Sequence, residues 1–347
     1  MIEIYGKPSG PLLTLKKSFI EENDEFLEKS QKIDRIYSQQ ARRVRCKNCD
    51  HVLDTESFSK QGVVYGICTQ CGHLNGFYQD TKEFCSSVYT DDDGDSYALN
   101  YSSQSKHAYE QRVVDIYMPK AEFLRDTLNQ LGETPTNLAY SDFGAGSGYY
   151  VSALIRSGLT NTVGYEVSGT QVSLGNAMMN NEYLIKHSLK DTVDLAGSID
   201  ADVVSMIGVL EHVQNPREIL RALQQNPKVR FLYISVPLFS PCVFFEMVFP
   251  TVMQRQLSAG HTHLYTESSL KWLTNEFSMH QVAAWWFGTD MVDLFRNVAV
   301  RLEQQPETIN MVETWVEMFT PLIDVMQREI DKKHLASEVH MLLKFED

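Results

Sequence analysis

The sequence predicts an α/β chain built on a mostly parallel sheet, and three stretches carry that prediction. The first is Leu138-Ala139-Tyr140, short and apolar enough for a buried strand, running into Asp142-Phe143-Gly144-Ala145-Gly146-Ser147-Gly148. A helix from Tyr149 to Arg156 follows, with Gly158 as its C-cap. The second is a strand over Thr162–Tyr165 that ends on Glu166, eighteen residues after Gly148. The third is Ala201 to Ile207, an apolar, β-branched run of the kind buried on both faces of a sheet. It leads through Gly208-Val209-Leu210-Glu211-His212-Val213 to a helix from Arg217 to Gln225, with Asn215 as cap and Pro216 in its first turn. Ile219, Leu220, Ala222 and Leu223 form the buried stripe of that helix, and Val229–Pro237 is the next strand. Strands alternating with helices in this way give a Rossmann-like sheet.

The glycine stretch carries chemistry. A strand, a glycine turn and a helix start set backbone N–H groups and the positive end of a helix dipole beside a ligand. The carboxylate of Glu166, at the end of the next strand, suits a ribose diol. A dinucleotide fingerprint would read G-x-G-x-x-G; here the glycines alternate, and Asp142 stands two residues before the first. An acid at that place suits a ligand with cationic groups rather than a pyrophosphate.

At these residues the chain resembles the class I S-adenosylmethionine-dependent methyltransferases, whose first motif has this acid-x-G-x-G-x-G form. The resemblance implies a seven-stranded methyltransferase sheet, with Asp142, Gly144, Gly146 and Gly148 around the methionine part of the cofactor and Glu166 on its ribose. It also places Ile207 and Glu211 beside the cofactor. The Leu-Glu-His-Val element at 210–213 is similar to that of many small-molecule methyltransferases, and the likeness covers about residues 115–290. Metal-dependent ubiquinone-type O-methyltransferases carry a second glutamate three residues before the Glu-His pair. Here Gly208 stands there, and Glu211 with His212 supplies too few ligands, so no active-site metal is expected. The Asx-Pro-Pro-aromatic signature of exocyclic-amine methylation is missing after Ile207.

Cys46-x-x-Cys49 and Cys68-x-x-Cys71, with eighteen residues between the pairs, match two knuckles that bring four thiolates to one tetrahedral zinc. Gly66 and Gly72 flank the second pair as turn glycines. With four sulfurs the site is closed, and its role is structural. Disulfides are the rival reading. They would favour an exported protein, yet Met1-Ile2-Glu3-Ile4 has neither a basic region nor an apolar signal core. A cytoplasmic enzyme is expected.

The chain has 347 residues, 43% hydrophobic, and a formal net charge of −14. That balance disfavours non-specific nucleic-acid binding, which relies on Lys and Arg neutralising phosphates. No apolar run approaches membrane-spanning length. Arg42, Arg43, Arg45 and Lys47 at the first knuckle read either as a grip on an anionic substrate such as a diphosphate or as a solvated face.

Four parts are expected: an N-terminal helical arm (1–40, with its acidic helix over Phe19–Gln39), a zinc module (41–88), a linker with lid helices (89–131) and the catalytic domain (132–347). Thr90 to Asp95 is a polar linker with some look of a calcium loop, but it lacks the spacing and the closing glutamate. Between Lys106 and Leu131 Pro119 divides an amphipathic stretch into two helices; Tyr109 and Arg112 there are candidate lid residues, with packing the alternative. Gln281–Phe287 and Val339–Phe345 read as the last strands, separated by a helical insertion at about 290–336 that serves as a substrate cover, a homodimer surface or core.

Gly260-His261-Thr262-His263-Leu264-Tyr265-Thr266 resembles a segment of sugar-modifying methyltransferases in which a histidine precedes a Tyr/Phe-Thr-x-x-Ser-Leu helix start. His261 takes the family histidine's place, and Gly260 stands where a glutamate is common. His261, His263 and His212 are the candidate bases for a hydroxyl or an activated carbon. Knuckles in front of this domain resemble the sugar C-methyltransferases that act on nucleotide-activated deoxysugars. The implied acceptor is a small molecule, such as an anionic nucleotide sugar, methylated on carbon or oxygen. A macromolecular (RNA or protein) methyltransferase and a non-catalytic cofactor-binding module remain the alternatives.

Overall fold

The computed structural model describes residues 1–15, 18–89, 105–257 and 260–346. The polar linker Thr90–Asp95 lies outside the described residues.

Strands β5 (Tyr140–Phe143), β8 (Val203–Ile207) and β9 (Phe231–Pro237) are buried along almost their whole length. Such runs need cover on both faces, and they lie at the centre of an eight-stranded sheet. With β1 (Ile2–Tyr5), β6 (Thr162–Glu166), β7 (Leu184–Lys186), β11 (Met279–Phe287) and β12 (Glu338–Phe345), its order is β1-β11-β12-β9-β8-β5-β6-β7. Strands β5 to β9 of this sheet run parallel, and β12 lies antiparallel between β9 and β11. One face packs Leu220, Leu223, Ile234 and Trp286; the other packs Leu124, Tyr150, Leu154 and Tyr233.

The sheet has one strand more than the seven expected. Ile2–Tyr5, assigned from sequence to a helical arm, pairs parallel with β11 from Ile2↔Ala283 to Tyr5↔Trp286. Gly6 extends the pairing, donating to the Trp286 carbonyl and accepting from the Trp285 indole. Four residues carry too little alternation to be read as a strand; the exposed edge of β11 is what recruits them. Helices Gly10–Leu15, Ser18–Glu21 and Asn23–Tyr37 make up the rest of the arm. Between Lys106 and Gln130 the chain stays helical, with a π-turn at Val113–Tyr117 and Pro119 in the first turn of the helix Met118–Gln130, where its missing N–H costs nothing.

A second sheet, ordered β10-β4-β3-β2, belongs to two parts of the chain. Strands β2 (Phe58–Lys60), β3 (Val63–Ile67) and β4 (Leu74–Gly76) come from the cysteine-rich segment. Strand β10 (His263–Leu264) comes from the loop after β9 and pairs with β4 through His263↔Asn75. The cysteine-rich segment is therefore stitched to the segment that follows β9.

The insertion between β11 and β12 forms helices Asp290–Glu303, Val312–Phe319 and Ile323–Asp331. Its aromatics pack on one another: Trp315 and Phe319 stack at 4.4 Å, and the Trp315 indole donates to the Phe295 carbonyl. Buried Asp290 ties it to the sheet, accepting from Ser240, Gln327 and the Ser337 N–H.

Candidate active site

The parallel strands end on one edge of the sheet, and the chemistry-bearing residues collect there. After β5, Gly144, Gly146 and Gly148 all take left-handed φ, at 72°, 54° and 73°. At Gly144 a Cβ would stand 2.7 Å from Val209, so the loop and the segment after β8 approach as closely as backbone allows. Most of the loop's N–H groups are engaged within the protein rather than held out for a ligand. Gly144 and Ala145 donate to the Tyr165 carbonyl, Gly148 to Ala145, and Gly146 to Glu166. The loop thus supplies a close, shaped wall at the start of the helix Tyr149–Arg156. Tyr109 donates to the Ser147 carbonyl and stacks on Tyr149, and Arg112 lies over the same ring. Tyr109 is 1% exposed, so it packs the loop from behind.

Glu166, expected on a ribose, also organises protein. One carboxylate oxygen accepts from Gly146 at 2.8 Å; the other accepts from Val167 and Ser168 at 2.7 and 2.9 Å. A carboxylate has about four acceptor positions, so one remains for a ligand hydroxyl. Asp142 is 3% exposed and accepts from Ser205 at 2.6 Å. Burial raises its pKa to about 7, with nearby Glu166 adding to the rise and Ser205 and Lys120 opposing it.

Across the cleft stand Glu211, His212 and His261, with one ligand-type atom from each lying within 4.8 Å of the others. Glu211 and His212 follow β8; His261 arrives from the loop before β10. The rings of His212 and His261 are 5.0 Å apart, and His212 Nε2 is 3.8 Å from Glu211 Oε1. Burial raises Glu211 to about 8 and lowers both histidines. His261 donates from Nδ1 to the Gln256 carbonyl at 3.0 Å, and a ring N–H of His212 donates to the Gly260 carbonyl. Glu211, expected beside the cofactor, groups with two of the three candidate histidines. The expectation of too few metal-ligating groups rested on local sequence; His261, fifty residues downstream, makes a third.

His263 is placed elsewhere. It is 1% exposed, and its Nδ1 meets His73 Nε2 at 2.7 Å, at the seam with the cysteine-rich segment. His261 instead borders a narrow recess walled by Asp34 and Tyr37 of the arm, Tyr65 of β3 and Phe84. Asp34, raised to about 7 by burial, and Tyr37 were not singled out from sequence, because nothing local marks a helix residue that faces a distant loop.

All six cysteines are unbridged, and Cys46, Cys49, Cys68 and Cys71 converge. The Cys46–Cys71 and Cys49–Cys68 sulfurs are 3.7 and 3.5 Å apart. Four thiolates at about 2.3 Å from one zinc would lie about 3.8 Å apart, so the set fits that ion. Asn75 and Asn48 donate to the Cys46 and Cys71 sulfurs, an outer shell that suits thiolates. Gly72 takes φ 75° at the second knuckle, and Asp50 takes φ 61° at the first. Gly66 is not a turn glycine: it lies in β3, where a Cβ would stand 2.3 Å from Phe77.

With this geometry in hand, comparison with known proteins is decisive at one level. Residues 115–278 match a family model described as a methyltransferase domain, and that span holds the glycine loop, Glu166, Glu211 and His212. The chain carries a methyltransferase domain. No curated protein matches it significantly. Among solved structures, the plantazolicin methyltransferase with S-adenosylhomocysteine and a monoazolic substrate analogue is 15% identical, with TM-score 0.45, covering 76% of this chain and 94% of its own. Magnesium protoporphyrin IX methyltransferase from Synechocystis PCC 6803 is 10% identical, with TM-score 0.47, covering 77% and 100%.

The basic cluster of the methyltransferase is already neutralised. Arg43 and Lys47 are buried on Asp80, while Arg42 pairs with Glu56 and Arg45 with Asp50 at the surface. It is neither a vacant anion grip nor, for Arg43 and Lys47, a solvated face. Lys60 of β2 is buried on Glu246, whose carboxylate also accepts from the N–H groups of Arg255, Gln256 and Leu257. Gln256 in turn holds His261, so the cysteine-rich segment reaches this candidate histidine through Glu246 and Gln256. Among the described residues no helix is long and apolar enough to cross a membrane.

Proposed function

We propose that this enzyme methylates a small molecule, a nucleotide-activated sugar or a related natural-product intermediate, on carbon or oxygen. The observation that carries the reading is the setting of His261, grouped with Glu211 and His212 and bordering a narrow, half-open recess. Its recess is small and walled by the arm and by β3, which suits a small acceptor better than an RNA or a protein surface. The paired state of Arg42 to Lys47 and the net charge of −14 point the same way. The order of a knuckle module before a methyltransferase domain, shared with sugar C-methyltransferases, supports the sugar class.

S-adenosylmethionine, when bound, supplies an electrophilic sulfonium methyl. Asp142 offers its buried carboxylate to the cationic part of the donor, and Glu166 offers its remaining acceptor position to the ribose. On the acceptor side, the Nδ1 bond of His261 to Gln256 leaves Nε2 as the proton-accepting atom of the neutral ring. That nitrogen takes the proton of the acceptor hydroxyl or activated carbon. The walls from the arm and β3 exclude water and hold the acceptor in line, an orienting contribution of about 7–11 kcal/mol in well-positioned reactions. Cys46, Cys49, Cys68 and Cys71 would hold a zinc ion whose role would be to brace this wall, outside the chemistry.

A screen of nucleotide sugars with S-adenosylmethionine, read as S-adenosylhomocysteine release and a one-methyl gain in acceptor mass, tests the substrate class. His261→Ala should cut turnover at least a hundredfold at unchanged donor affinity. Equal loss of both would make His261 structural.

A further inference from the structure

Besides the four cysteines, one other cluster among the described residues gathers metal-ligating side chains: Glu211, His212 and His261. We propose that these three form a second metal site, a two-histidine, one-carboxylate centre for a divalent first-row ion that holds the methyl acceptor through two adjacent oxygens. The proposal rests on the small-molecule reading of this cleft and replaces the base role of His261: with Nε2 on the ion, the proton of an ion-bound hydroxyl leaves to water instead.

Three features of the geometry converge. Their ligand-type atoms lie within 4.8 Å of one another, close to what an ion at about 2.0–2.2 Å from nitrogen and oxygen ligands requires after small side-chain shifts. Each histidine has a ring N–H held by a backbone carbonyl, His261 by Gln256 and His212 by Gly260. That is the outer-shell arrangement that orients imidazole ligands and presents the other nitrogen's lone pair. Glu211 is 3% exposed, yet its Oε2 has no hydrogen-bond partner. An unpartnered carboxylate oxygen in such a place is costly unless something else satisfies it, and a cation aimed between two imidazoles does.

Chemistry and position select the ligand class. Two nitrogens and one oxygen favour a first-row transition ion over magnesium or calcium, and three protein ligands leave coordination positions open. Glu211 and His212 follow β8 directly, and His261 borders the recess assigned to the acceptor. An acceptor with neighbouring hydroxyl or carbonyl oxygens, as in a sugar diol or a hydroxyketone, fills two open positions. The ion then polarises the oxygen and lowers the pKa of a bound hydroxyl.

The test uses full-length enzyme carrying zinc on its cysteines, titrated with Co2+ and followed by visible absorption. One further Co2+ per chain, with the weak bands of nitrogen–oxygen ligation and none of the intense thiolate charge-transfer bands, is expected. Catechol, a probe with adjacent oxygens, should shift those bands. Glu211→Gln and His261→Ala should each weaken Co2+ binding at least tenfold while S-adenosylmethionine binding, measured by calorimetry, shows that the variants are folded. Absence of a second Co2+, or variants that bind it like wild type, overturns the proposal. If no second ion binds but His261→Ala still abolishes turnover at normal donor affinity, the base reading stands and the metal site alone falls.

Discussion

Asp142 links donor binding to pH, and the size of the link follows from its surroundings. In the donor-free protein, burial holds its pKa at about 7, against an ordinary value near 3.9. S-adenosylmethionine brings a sulfonium and an ammonium group, and a cation beside the carboxylate lowers that pKa again. Binding below pH 7 must therefore expel a proton, so acid opposes binding. With a free-state pKa of about 7 and a bound-state value well below 6, apparent affinity falls about tenfold from pH 8 to pH 6, or about 1.4 kcal/mol. Isothermal titration calorimetry at both pH values, in two buffers of different ionisation enthalpy, reads the affinity and counts the proton. The donor's own α-amino group titrates near 8. Asp142→Asn, which keeps the side-chain shape and the neighbouring Ser205, carries that contribution alone and serves as the reference. A wild-type affinity whose change between pH 6 and 8 is no larger than that of Asp142→Asn would refute the assignment of this carboxylate to the donor's cation.

Glu166→Ala should weaken donor binding more than tenfold, because it removes both the ribose acceptor and three backbone contacts of the loop; Glu166→Gln should fall between, and equal affinities for all three proteins would exclude any ribose role. Cys46→Ser should lose the bound zinc, read by elemental analysis, and make the segment around β2 to β4 protease-sensitive, whereas zinc retained at one per chain would contradict the four-sulfur site. Lys60→Met strands Glu246 as a buried, uncompensated charge and should cost about 3–5 kcal/mol in denaturant unfolding. Because Glu246 orders the turn that holds His261, the same variant should lower kcat with little change in donor affinity; a stable, fully active Lys60→Met would break the chain of contacts drawn here.

Elements with a strong local signature were legible from the sequence alone: the parallel strands ending at Phe143, Glu166 and Ile207, the alternating glycines with their left-handed turns, and the paired cysteines. Each is written in adjacent residues, as an apolar run, a residue type that tolerates positive φ, or a fixed ligand spacing. Tertiary structure decided what depends on meetings between distant segments. Ile2–Tyr5 became a strand only because β11 presents an edge, and Gly66 proved to be a packing glycine because Phe77 presses against it. Glu166 was readable as an acid at a strand end, but not as the acceptor of three N–H groups that shapes the loop. His261 and His263, two residues apart, alternate across the loop and short strand they occupy, so one groups with His212 and Glu211 while the other is buried against His73. Sequence named both as candidate bases, with His261 in the family histidine's place, but their separate surroundings depend on β4 and the knuckles, almost two hundred residues upstream.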